Sequence, residues 1–111
     1  DALPICLADN IMQMDIDKRP DAIFAGSDEV ACGLIANLTA RGIKVPTDLA
    51  VMGFDNLPVA EMINVPLTTV SQSVEQLGRI SIERLLSLIN GTRYQYDEKD
   101  LQSELIIRAS A

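Results

Sequence analysis

Short apolar runs alternate with longer segments of helical periodicity along this chain. Ala22-Ile23-Phe24-Ala25-Gly26 and Leu49-Ala50-Val51-Met52-Gly53 are continuous apolar stretches, the pattern of parallel strands buried on both faces. Between them Val30, Ala31, Leu34, Ile35 and Leu38 keep helical spacing, and Gly42 suits the left-handed position just past a helix. Ser27 and Asp28 are both good residues for capping its start. Strand, helix and strand within about 30 residues make a βαβ unit with a right-handed crossover.

Ahead of this unit, residues 5–17 place apolar side chains at 5, 8, 11, 12 and 16, which predicts a helix. Pro20 disfavours helix at Arg19. After the unit come a short helix near Val59–Ile63 and a strand at Leu67-Thr68-Thr69-Val70, rich in β-branched residues. Ser73-Val74-Glu75-Gln76 has the form of a capping box. The helix it opens carries Val74, Leu77, Ile82, Leu85, Leu86 and Ile89, and Asn90-Gly91 closes it. Gly78 inside that helix costs about 1 kcal/mol relative to alanine, which predicts close approach of another backbone. Thr92–Asp100 reads as a polar loop and Glu104–Arg108 as a last strand. The pattern is α/β with a parallel sheet.

With 111 residues the chain is one small domain in size, and 48% hydrophobic residues with mean hydropathy +0.17 suffice for a packed core. No apolar run approaches the roughly 20 residues of a membrane span. The opening Asp1-Ala2-Leu3-Pro4 has neither an initiator Met nor a secretory pattern, so a piece of something longer is expected. The formal net charge is −7 and no Lys/Arg cluster appears, so these residues are not expected to grip nucleic acid themselves. Cys6 and Cys32 sit in apolar surroundings without metal-ligand spacing, and the expectation is buried free thiols. Phe24 and Phe54 read as core, and Met12, Met14 and Met62 as gap-fillers. The absence of histidine removes the commonest general base and the Ser-His and Cys-His pairs; no enzyme, cofactor or metal site is expected.

The candidate chemistry lies where strands end. Ligands of open α/β sheets bind outside the carboxyl ends of the strands. Ser27-Asp28 follows the first strand, Asp55-Asn56 the second, and Gln72 the third. A carboxylate, a hydroxyl and a long amide together can hydrogen-bond a polar small molecule. Each has a plainer reading. Asp28 is better explained as a helix cap, and Asp55-Asn56 before Pro58 is balanced evenly between a turn and a ligand contact.

Three segments occur in order at family-specific spacing. They are Asp21-Ala-Ile-Phe-Ala-Gly-Ser-Asp-Glu-Val-Ala-Cys-Gly33, Gly42-Ile-Lys-Val-Pro-Thr-Asp-Leu-Ala-Val-Met-Gly-Phe-Asp-Asn56 and Pro66-Leu-Thr-Thr-Val-Ser-Gln72. Together with Glu75-Gln-Leu-Gly-Arg79 and the strand ending at Arg108, they resemble the effector-binding part of LacI/GalR-type bacterial transcriptional regulators. The likeness covers roughly residues 18–111 and leaves residues 1–17 outside it.

The resemblance implies a parallel-sheet, three-layer fold of the periplasmic-binding-protein type I kind, here as a C-terminal fragment. On that footing residues 1–70 belong to the C-terminal subdomain, 71–95 to a helix of the N-terminal subdomain, and 96–111 to the strand returning to the C-terminal one. It implies effector binding, of a sugar or nucleobase-like molecule, by Asp55, Ser27 and Gln72, with Ser27 where many members carry Asn and Val74 where some place an aromatic ring. Val30, Cys32, Ile35, Met62 and Ile63 resemble the surface through which such regulators form homodimers. DNA would be bound only by a helix-turn-helix headpiece outside these residues, in a cytoplasmic repressor. The alternative is a sugar-binding protein of an ABC transporter. The apolar face of helix 73–90 is expected to fold back, pair with another copy or order poorly, since its partners in the intact fold are missing.

Overall fold

The computed structural model describes residues 2–111. Its strands are β1 (Ala22–Phe24), β2 (Ala50–Phe54), β3 (Thr68–Ser71) and β4 (Glu104–Ile106), in one sheet of order β1-β2-β3-β4. β1 and β3 both run parallel to β2, with Ile23 opposite Val51 and Gly53 opposite Thr69. The α-helices among the described residues are α1 (Ala2–Gln13), α2 (Asp28–Ala40), α3 (Val59–Met62) and α4 (Val74–Ile89). The expected α/β architecture with a parallel sheet is present. Two compact units share the chain: one runs through Val70 and takes in Leu105–Ala111, the other is Ser71–Glu104.

The first unit holds the core. Ala31, Leu34, Ile35 and Leu38, the face of α2 expected from periodicity, are buried with Val51 and Leu67 of the sheet layer. Each fully buried leucine contributes about 1.5–3 kcal/mol. α1 adds Ala8 and Ile11 to the same cluster. Gly33 makes the two helices fit, because a Cβ there would lie 3.1 Å from Pro4 Cγ. Arg41 at the end of α2 clamps them, donating from Nη2 and Nε to Asp9 Oδ1 at 2.6 and 2.9 Å. The helix expected over 5–17 ends at Gln13; a 3-10 turn at Ile16–Lys18 follows, and Arg19 is extended, as the residue before Pro20 must be.

The last residues stitch the sheet. Ser110 is fully buried: its N–H donates to Pro66 O at 3.1 Å and its carbonyl accepts Val51 N–H at 2.8 Å. Its hydroxyl donates to Val51 O at 2.5 Å and accepts from Thr68 N–H at 2.9 Å. One side chain thus bridges β2 and the start of β3.

Several expectations are corrected. β1, an edge strand, is not buried on both faces: Ala22 and Phe24, which share one face, are exposed, while Ile23 on the other is half-buried. Phe24, 62% exposed, leans on Phe54 with ring centroids 6.3 Å apart instead of entering the core. Met12, Met14 and Met62 are exposed and fill no gap. Cys6 is exposed; Cys32 is half-buried, and burial, then the Asp28 carboxylate, push its thiol above the ordinary range.

In the second unit α4 is amphipathic as expected, yet only Ile80 is buried. Val74, Leu77, Ile82, Leu85, Leu86 and Ile89 are exposed. The capping box is not formed: Ser73 sits at φ −76°, ψ 65°, makes no cap with its side chain, and donates instead to Gln102 O at 3.5 Å. Gly78 has nothing within 4 Å of a built Cβ, so the expected close backbone approach is not there. Gly91 takes the left-handed position after the helix, at φ 66°. The loop at 92–100 runs into a 3-10 turn, Glu98–Leu101.

Tyr94 in this unit donates its phenol proton to Glu83, which Arg79 Nη1 also contacts at 3.1 Å. That hydrogen bond, then burial and the negative charge of Glu83, push the Tyr94 pKa up against an opposing pull from Arg79. The interaction is present while the phenol is protonated and is lost as pH rises through the raised value. An alkaline absorbance titration should therefore show a phenol ionising later than ordinary tyrosine, and Glu83→Gln should abolish the delay.

Candidate functional site

The site is built from the carboxyl end of β2. Two consecutive non-glycine residues just beyond it, Asp55 at φ 107° and Asn56 at φ 54°, have left-handed backbone. Such conformations cost of order 1–3 kcal/mol each and persist where surrounding structure imposes them.

Contacts with Val70, Thr69, Asp28 and Arg108 hold this stretch. Asp55 N–H donates to Val70 O at 2.9 Å, holding the loop against β3. Asn56 N–H donates to Thr69 Oγ1 at 3.4 Å. Leu57 N–H donates to Asp28 Oδ2 at 2.7 Å. Arg108 Nη2 donates to Asn56 Oδ1 at 2.9 Å, while its Nη1 holds Leu67 O at 2.9 Å. Glu61 Oε1 completes the guanidinium's partners at 2.6 Å.

Asp28 is therefore not the helix cap. Ser27 has that role, with extended backbone and its Oγ accepting Val30 N–H at 3.3 Å. Asp28 is the first residue of α2, fully buried, and its carboxylate turns into the sheet, where Thr69 Oγ1 also donates to Oδ1 at 2.5 Å. The helix N-terminus favours a carboxylate at this position. Gly53 makes room for it: a Cβ there would collide with Asp28 Oδ1 and lie 2.8 Å from Leu67 Cδ2.

Of the three expected ligand contacts, Ser27 and Asp55 belong to the first unit, beyond the ends of two adjacent parallel strands, so both stand at the carboxyl edge of the sheet. Both are half-buried. The Ser27 cap uses a lone pair and leaves its proton for another acceptor, so capping and ligand contact are compatible. Gln72, half-buried, is in the second unit, one residue past β3. The sequence did not single out Thr69 or Arg108 as supports; the one local signal was Gly53 two residues ahead of Asp55. Among the described residues, no group of three or more His, Cys, Asp or Glu is placed to hold a metal ion. The groups present can accept and donate hydrogen bonds to a polar ligand.

Cys32, Ile35 and Ile63 line an open, mostly apolar groove of about 510 Å³ between α2 and the segment after α3. Val30 is half-buried on the same helix, and Met62 is 81% exposed.

The chain is similar to known proteins over most of its length. Residues 4–111 match the sequence profile of the periplasmic binding protein-like domain, so the likeness reaches into α1 and is not confined to residue 18 onward. The HTH-type transcriptional repressor PurR of Vibrio campbellii is 38% identical over 104 residues, 94% of this chain and 30% of the repressor. The repressor CytR of Escherichia coli K12 is 35% identical over 97 residues, 87% of this chain and 28% of CytR. The chain thus spans under a third of these relatives. Among solved structures, a LacI family regulator from Lactobacillus casei with bound glucose superposes with TM-score 0.82 at 38% identity, covering 97% of this chain and 38% of the regulator. One from Arthrobacter sp. FB24 in complex with lactose gives 0.79 at 28% identity, over 98% of this chain and 41% of the other. The chain belongs to the periplasmic binding protein-like domain family and matches part of the effector-binding domain of LacI/GalR-type transcriptional regulators.

Proposed function

We propose that this chain is an effector-sensing module of a DNA-binding transcriptional repressor. The single observation that carries the reading is Asp55: a carboxylate in left-handed backbone, pinned at the carboxyl edge of a parallel sheet. In this reading Asp55 and Ser27 hydrogen-bond a sugar or a nucleobase-like molecule and Gln72 adds an amide. Residues 1–70 and 96–111 act as the C-terminal subdomain and 71–95 as part of the N-terminal one. Val30, Cys32, Ile35, Met62 and Ile63 contribute to a homodimer interface, for which the apolar groove beside α2 is suited. DNA is reached through a helix-turn-helix headpiece outside these residues, in the cytoplasm. Effector binding shifts the population of subdomain orientations by its differential affinity for them. That the relatives are repressors favours regulation over transport.

A thermal-shift screen of glucose, sucrose, lactose and purine bases against the full-length protein tests this. A binder at about 100 times its Kd stabilises by about 2.7 kcal/mol, and Asp55→Asn should remove most of that shift. A binder held equally well by Asp55→Asn would overturn the assignment.

A further inference from the structure

We propose that a cleft at the amino ends of β1 and β2 is a second ligand site, suited to a free amino acid with an apolar side chain. It is separate from the Asp55 loop: Asp21 and Leu49 on its lining directly precede β1 and β2, whereas Ser27 and Asp55 follow them. The five residues of β2 put about 17 Å between the two ends.

The cleft has a volume of about 400 Å³, within the range of small-molecule sites, about 300–1,000 Å³. Ile11, Ile43 and Leu49 give it a buried apolar lining. Two guanidinium groups also line it, and they differ. Arg41 spends Nε and Nη2 on Asp9, and Nη1 on the carbonyl and side-chain oxygens of Asn37 at 2.9 and 3.0 Å. Arg19 has one side-chain hydrogen bond among the described residues, a long one from Nη2 to Met12 O at 3.3 Å. Its Nε is buried and meets no acceptor, and it takes part in no ion pair of the described residues.

Arg19 is held in place all the same. Its backbone is extended, at φ −68° and ψ 144°, and the Met12 bond ties its side chain to the last turn of α1. Capping that helix end accounts for one Nη and leaves the rest of a charged fork that only donates. A half-buried cation without a counter-charge is costly, and a carboxylate is among the partners that a guanidinium binds most strongly. The opposite sign is present too, since Asp21 and Asp48 stand exposed on the lining. Asp48 gives one oxygen to Lys44 N–H at 2.8 Å and keeps the other. These carboxylates oppose a ligand that is only anionic, such as phosphate, and attract an ammonium group. A carboxylate, an ammonium and an apolar body together describe an amino acid.

Calorimetric titration of the full-length protein with leucine, isoleucine, methionine and phenylalanine tests the site. At least one should bind saturably. Its deaminated acid and its decarboxylated amine should each bind at least roughly ten-fold more weakly, the scale of one charge-assisted contact. Those comparisons use the unaltered protein, so folding does not enter them. Arg19→Met should weaken the same amino acid by a similar factor, with Arg19→Lys in between. Methyl NMR locates the binding: signals of Ile11, Ile16 and Ile43 should move, and those of Leu57 and Val70 beside Asp55 should not. Movement at Leu57 and Val70 alone would put the amino acid at the Asp55 loop and overturn the second site. The absence of saturable binding up to about 10 mM would overturn it as well, as would inorganic phosphate or the deaminated acid binding as tightly as the amino acid. A sugar or purine held at Asp55 should bind alongside the amino acid, so the two sites stand or fall separately.

Discussion

Gly53→Ala is expected to lower the melting temperature, although alanine is ordinarily the better residue in a strand interior. The methyl group would run into Asp28 Oδ1 and stand 2.8 Å from Leu67 Cδ2 and 3.2 Å from Asp28 Cα. Leu67 is fully buried and Asp28 Cα belongs to the first turn of α2, so neither can yield without moving a layer. The carboxylate oxygen can turn away only by releasing Thr69. Overpacking of this kind costs about 1–3 kcal/mol, a fall in Tm of roughly 5–20 °C for a unit of this size. Gly78→Ala is the control, since nothing lies within 4 Å of that position. It sits inside α4 and should gain up to about 1 kcal/mol. A Gly53→Ala protein that melts at or above the wild-type temperature would refute the packing argument.

Arg108→Ala is expected to have an effect of similar size, and Arg108→Lys should recover little of it. The Arg108 side chain is 13% exposed and reaches Leu67 O and Asn56 Oδ1 from two different nitrogens. Lysine has one nitrogen and cannot span both. Hydrogen bonds to a charged group are worth about 1.5–3 kcal/mol, and the substitution leaves two acceptors without their donor. Glu61 is different: it is 71% exposed, and such ion pairs contribute about 0–1 kcal/mol. Urea denaturation should therefore show a large drop in midpoint for both Arg108 variants and a small one for Glu61→Gln. Equal effects at Arg108 and Glu61 would mean that the ion pair, not the fork on the loop, is what matters.

Much of the scaffold was legible before the structure. α2 and β2 followed from the spacing of Ala31, Leu34, Ile35 and Leu38 and from the run at 49–53, because burial on one face or two leaves a period in the chain. The site was half legible. Asp55 stood out as a charge at a strand end, but its support came from Asp28, Thr69 and Arg108, which are 27, 14 and 53 positions away. Local patterns carry no record of such contacts. Where two residues could do one job, as at Ser27-Asp28, only the backbone decided: Ser27 is extended and caps, which released Asp28 for the sheet. The same dependence sank the capping box at Ser73, whose backbone, at φ −76° and ψ 65°, is not the extended one of a cap and whose side chain makes no cap hydrogen bond. Periodicity also predicted α4 correctly while leaving open what covers its apolar face.

The stitching by Ser110 carries a consequence for how the protein is made. Its hydroxyl reaches Val51, 59 positions earlier, and Thr68, 42 positions earlier. Arg108 likewise reaches back 52 positions to Asn56. Contacts of this separation close large loops and form late, because the entropy of closure must be met before they stabilise anything. During synthesis, α1, α2, β1 and β2 can assemble as they emerge, but the strand ends that present Asp55 cannot set until residues 108–110 have left the ribosome. The loop that carries Asp55 is thus among the last parts to acquire its shape.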